Sequence, residues 1–160
     1  MTDAAPLNIN TVVKNISINN DAIFTKPVEF KSLKLSFCIA VDLNYIKQFR
    51  SYIVDIYDFT ITATGNDLIF TVKNGMYEYS VSKQVDIADT SPKWLKVELH
   101  INAKKSTVEL VLDGMYQLKG FNYTLPKPVL EHNPNHSLVQ ATNTYISNLS
   151  LHVKERKKKV

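Results

Sequence analysis

A single cysteine, Cys38, stands among 160 residues, so no disulfide can form within the chain. No motif near it would lower its pKa, which makes a packed thiol the expectation and not a nucleophile. Only four glycines and six prolines are present, which excludes a low-complexity or linker-rich chain. There is no Gly-x-Ser-x-Gly elbow, no phosphate-cradling glycine loop and no paired-cysteine motif. The chemistry those motifs carry has no support, and no cofactor is implied. No apolar run approaches the length of a membrane span. Residues 1–6, Met-Thr-Asp-Ala-Ala-Pro, lack the basic and apolar regions of a secretory signal. Four Asn-x-Ser/Thr sequons, at Asn15, Asn122, Asn135 and Asn148, matter only in a secretory pathway.

What is present is the composition of a globular chain, with 44% hydrophobic and 21% charged residues. At this length one domain with a real core is expected. The net charge of +4 is concentrated at the end: Lys154, Arg156, Lys157, Lys158 and Lys159 are opposed there only by Glu155. The expected organisation is a single domain over residues 1–153 and a basic tail over 154–160 that is solvated and frayed. No basic face with interleaved aromatics occurs elsewhere, so no specific nucleic-acid contact is implied.

Alternation at period two dominates the chain. Leu33, Leu35, Phe37, Ile39 and Val41 share one strand face, and Lys34, Ser36, Cys38, Ala40 and Asp42 share the other. Residues 8–18 read as an irregular opening strand, and residues 52–57, 59–64 and 68–73 as three more. Asn74-Gly75 is a two-residue hairpin signal leading to Tyr77, Tyr79 and Val81. The two tyrosines are expected to pack partly buried with their hydroxyls in solvent. Residues 44–50, with Tyr45, Ile46 and Phe49 at helical spacing, form the one weak helical candidate, with a loop as the alternative. Residues 115–121 read as a strand, 126–141 as irregular, and 144–153 as the closing strand. About ten short strands and almost no helix predict an all-β fold, a two-sheet antiparallel β-sandwich.

The most regular stretch is residues 94–101 followed by 108–114. Leu95, Val97, Leu99 and Ile101 must face the core, leaving Trp94, Lys96, Glu98 and His100 outside. With Ala103-Lys104-Lys105-Ser106 as the hairpin loop, His100 faces Glu109, Glu98 faces Val111, and Lys96 faces Asp113. Trp94, Lys96, Glu98, His100 and Glu109 are therefore the candidate ligand-binding residues. An aromatic platform beside hydrogen-bonding side chains suits a sugar; ordinary cross-strand pairing is the alternative. His132-Asn-Pro-Asn-His136 spaces two imidazoles four apart, but Pro134 forbids a regular helix and no further ligand stands at set spacing. No metal site is predicted.

Four segments carry a resemblance. Phe30-Lys-Ser-Leu-Lys-Leu-Ser-Phe-Cys-Ile39 matches an early strand, and Leu68-Ile-Phe-Thr-Val-Lys-Asn-Gly75 a middle hairpin. Residues 94–114 match a Trp, two alternating strands and Asp-Gly, and Tyr145-Ile-Ser-Asn-Leu-Ser-Leu-His-Val153 a closing strand. Together, over residues 8–153, they resemble the concanavalin A-like jelly roll, with its laminin-G-like and galectin-like modules. The resemblance implies a lectin-like carbohydrate-recognition module with a glycan partner. It also extends to the galectin-like spike heads of non-enveloped viruses, which implies an attachment head at a virion surface; the missing secretory signal leaves a cytoplasmic or non-classically exported protein as the other expectation. A non-catalytic protein-interaction sandwich is the alternative.

The galectin sugar motif itself is not reproduced. Glu98 stands one residue later after Trp94 than in Trp-x-x-Glu-x-Arg, and His-x-Asn-x-Arg is absent. Asp42 and Asp89 are the residue types a laminin-G calcium site would use. The Glu-x-Asp-x-x-Glu strand of the related glucanases is also missing, with His100 where an acid would stand, so no enzyme is predicted.

Overall fold

A computed structural model describes residues 3–19, 27–41, 46–54, 57–65, 67–74, 77–84, 93–122, 129–130 and 137–156. Among these the regular elements are all strands. They are β1 (Asp3–Ile9), β2 (Val13–Lys14), β3 (Ser17–Asn19), β4 (Val28–Val41), β5 (Gln48–Val54), β6 (Tyr57–Thr64) and β7 (Asp67–Asn74). There follow β8 (Tyr77–Gln84), β9 (Lys93–Asn102), β10 (Thr107–Leu112), β11 (Met115–Asn122), β12 (Val129–Leu130), β13 (Ser137–Thr142) and β14 (Tyr145–Glu155). The first sheet runs β1-β14-β4-β9-β10-β11, with β12 on β4 and β2 on β14; the second runs β3-β13-β5-β6-β7-β8. All these pairings are antiparallel. The expected all-β sandwich is the observed one.

The alternation explains the packing. Leu33, Leu35, Phe37 and Ile39 of β4 and Leu95, Val97, Leu99 and Ile101 of β9 are all buried. They meet Phe49, Phe59, Ile61, Leu68, Phe70 and Val72 from the second sheet in one core. Phe37 stacks on Phe49 across the two sheets, with centroids 4.3 Å apart, and Phe59 meets Phe49 edge-on at 6.0 Å. Two buried hydroxyls are satisfied: Ser51 donates to the Leu138 carbonyl at 2.7 Å, and Thr144 to that of Thr142 at 2.8 Å.

Several local expectations are corrected. Of the helical candidate at residues 44–50, the described residues 46–50 are instead the approach to β5 and its first residues. Ile46 and Phe49 are both buried, but a bend at Lys47 separates them, and the Lys47 amide donates to Thr144 Oγ1 at 3.2 Å. A bend and a helical turn give the same apolar spacing. The opening strand is three pieces, and β1 starts at Asp3; its pairing shifts between Ala4 and Leu7, on either side of Pro6, which has no N–H to give. The segment expected to be irregular contains β12 and β13. Tyr79 is partly buried as expected, but its hydroxyl donates to the Gln117 carbonyl at 2.8 Å, linking β8 to β11.

Two irregularities set what the first sheet shows to solvent. Asn148 adopts φ 51°, and three steps of β14 from Ser147 to Ser150 oppose two of β4 from Cys38 to Ser36. This β-bulge lets Ile146 and Leu149, three apart, both face the core. A second shift falls between Lys154 and Glu155, opposite Ser32 and Phe30, and keeps both Phe30 and Leu33 inside. With these adjustments Ser150, His152 and Lys154 all lie on the outward side of β14. Lys154 and Glu155 belong to that strand, and the Arg156 amide is held to the Glu29 carbonyl at 3.0 Å.

Candidate functional site

The hairpin register is the one the alternation predicts: Asn102 pairs with Thr107, His100 with Glu109 and Glu98 with Val111. The Lys96 amide donates to Asp113 Oδ1 at 2.9 Å, and the Asp113 amide returns a bond to the Lys96 carbonyl at 2.9 Å. On the other side of β9, Lys34 pairs with His100 and Ser36 with Glu98, and on β14 His152 pairs with Lys34. A continuous outward row therefore crosses four strands as His152, Lys34, His100 and Glu109. A parallel row runs Lys154, Ser32, Asn102 and Thr107.

Between and above these rows lies a groove of about 360 Å³. Both rows line it, joined by Lys105 from the β9–β10 turn. Its walls carry ammonium donors, imidazoles, a carboxylate, hydroxyls and an amide, the mixture that hydrogen-bonds a hydroxyl-rich ligand. Among the described residues, no carboxylate is paired with Lys105, His152 or Lys154.

Glu98 sits one row further along, its side chain only 14% exposed. Its carboxylate is 3.1 Å from Lys34 Nζ, 3.5 Å from Lys96 Nζ and 3.8 Å from His100 Nε2. Burial of Glu98 opposes ionisation, but the hydrogen bond and charge of Lys34, with the charges of Lys96 and His100, outweigh it. The carboxyl is held below the usual carboxylate range. His100 Nε2 is covered and makes no hydrogen bond, so a proton there would face the Glu98 carboxylate.

The five candidate residues do share one face, but they do not form one cluster. His100 and Glu109 line the groove, and Glu98 anchors Lys34 and His100 beside it. Lys96 is engaged with Glu98 and Asp113. Trp94, 44% exposed, lies six residues before His100, about 20 Å along the strand, and does not line the groove. Tyr116, 53% exposed, extends the Glu98 row through Val111. The residues that strand alternation alone did not single out are Lys34, Lys105, His152 and Lys154. Asp42, Asp89, His132, His136 and Lys157–Lys159 lie outside the described residues. Among the described residues, no group of three or more His, Cys, Asp and Glu side chains is placed to hold a metal ion.

No protein-family profile matches this sequence, and no curated protein matches it. Solved structures do match the fold. The CBM40 domain of the Ruminococcus gnavus IT-sialidase, bound to α2,6-sialyllactose, superposes with a TM-score of 0.52 at 8% identity. The match covers 98% of this chain and 95% of that one. Domains LG4-5 of the mouse laminin α1 chain match with a TM-score of 0.49 at 12% identity. This chain is covered over 99% of its length there and spans 48% of the laminin chain. A tetrameric galectin from the sponge Cinachyrella gives 0.41 at 9% identity, over 92% of this chain and 89% of that one. The fold is a concanavalin A-like jelly roll.

Proposed function

We propose that this chain is a lectin-like carbohydrate-recognition module that binds glycan on the outward face of its first sheet. The observation that carries the reading is the groove itself: donor and acceptor side chains line it from four strands, and Lys105, His152 and Lys154 have no carboxylate partner among the described residues. Exposed Trp94 and Tyr116 on the same face offer apolar surface for a sugar ring or an extended chain. That a domain of this fold in Ruminococcus gnavus holds sialyllactose supports the ligand class.

The test is a glycan-array screen of the purified protein, with calcium and with chelator, followed by calorimetry on hits. Trp94→Ala and His100→Ala are expected to stay folded and to weaken binding by about fivefold or more, the loss of one ordinary polar or stacking contact. If both bind as wild type, the site is elsewhere. A folded protein that binds no glycan makes a protein partner the better reading.

A further inference from the structure

The groove is not electrically uniform. Along its His100–Glu109 side lysine and carboxylates stand together: Lys34 is paired with Glu98, and the Glu109 carboxylate lies opposite His100. Along its other side they do not. Lys154 on β14 and Lys105 in the β9–β10 turn flank Ser32, Asn102 and Thr107, all of which line the groove, and among the described residues no carboxylate lines that row. Strands β14 and β9 are separated only by β4, an interval of about 9.6 Å. Lysine stems are four carbons long, and both Lys105 and Lys154 line the groove that contains Ser32, so one anionic group there is within the reach of both ammoniums. Lys154 had the appearance of a frayed basic tail in the sequence, but β14 holds it in register opposite Ser32.

We propose that the glycan is acidic, with its carboxylate or sulfate held between Lys105 and Lys154 and its ring hydroxyls read by His100, Glu109 and Lys34. This rests on the glycan-binding reading and gives it a ligand class. The geometry divides the labour: hydroxyls need the mixed donors and acceptors of the His100–Glu109 side, and an anion needs donors without a competing carboxylate. A neutral sugar would leave two ammoniums in the groove paired only with water. Serine and asparagine beside them add neutral donors without adding negative charge.

The experiment uses an array in which each neutral oligosaccharide is printed beside its sulfated and its carboxylated derivative, with a glutamate decapeptide as control. The quantity read is the ratio of anionic to neutral binding. Wild type is expected to favour an anionic form by about tenfold or more in low salt, and less in high salt. Whether the sulfated or the carboxylated series is preferred identifies the acid. The double variant Lys105→Ser, Lys154→Ser, exposed at both positions, is expected to bring the ratio near one, while Lys73→Ser on the second sheet retains it. Equal binding of neutral and anionic forms, or a ratio that survives the double variant, overturns the acidic-ligand assignment and leaves glycan binding standing. Binding of the decapeptide as tightly as the acidic glycan also overturns it, in favour of an acidic protein partner. No binding to any sugar by the folded protein overturns this inference and the function together.

Discussion

Glu98 shows how one side chain can order a face without touching the core. It occupies an outward position on β9, yet three neighbouring nitrogens approach it within 3.8 Å. Lys34 and Lys96 are 41% and 57% exposed, so water and salt screen each pair and the expected gain is small. The pH dependence has a definite sign. The Glu98 carboxyl is lowered in the folded chain, so the unfolded chain takes up its proton first as pH falls. Its contribution is complete above the ordinary carboxylate range, about 4.3, and is lost as pH drops through the lower folded value. Glu98→Gln should therefore cost about 0.5–1 kcal/mol at neutral pH and progressively less at an acid pH, as the folded carboxyl takes up its proton. Urea unfolding at the two pH values decides it. A deficit that persists in acid would mean the side chain matters for its packing and not its charge.

The hairpin of β9, β10 and β11 shows what was legible along the chain. Strict alternation from Trp94 to Ile101 assigned the core face, and a four-residue loop assigned the partners of His100 and Glu98. At Asp113-Gly114, between β10 and β11, the structure gives positive φ at both positions, 49° and 79°, as a tight hairpin turn requires. A Cβ added at Gly114 would meet nothing within 4 Å, so Gly114→Ala tests backbone conformation alone. It is expected to destabilise the protein by about 1–2 kcal/mol, read as a lowered midpoint in thermal or urea unfolding. A neutral result would show that the turn relaxes to another type. Lys34 and His152 were legible only as outward residues of their own strands. Their place beside His100 depends on β4 being inserted between β14 and β9, a non-local choice that no local pattern encodes. It depends also on the bulge at Asn148, which leaves no mark in a simple alternation. β13 was hidden for a related reason: Leu138 and Val139 are consecutive and both buried, so the strand breaks the period that identifies strands.

The whole sandwich offers two outward faces, and their polar groups are in different states. On the second sheet Arg50 grips Asp58 through two bonds, Nε to Oδ1 at 3.1 Å and Nη2 to Oδ2 at 2.6 Å. Thr71 Oγ1 and Ser80 Oγ lie 3.0 Å apart and bond each other. These groups satisfy one another across β5, β6, β7 and β8, so a ligand would have to displace existing bonds to use them. On the first sheet Lys105, His152 and Lys154 border open volume, and among the described residues no carboxylate is paired to them. Exchanging water for a ligand there costs less than breaking a bidentate ion pair. Titration of the labelled protein with a glycan found on the array should therefore move the amide resonances of Ser32, Lys34, His100, Glu109 and His152. Those of Arg50, Thr60, Thr71 and Ser80, behind the shared core, should stay within the experimental scatter. Arg50→Ala should then change the affinity less than about twofold, since its bonds are spent within its own sheet. Shifts confined to the Arg50 face would move the binding site to the second sheet and leave the basic groove without its ligand.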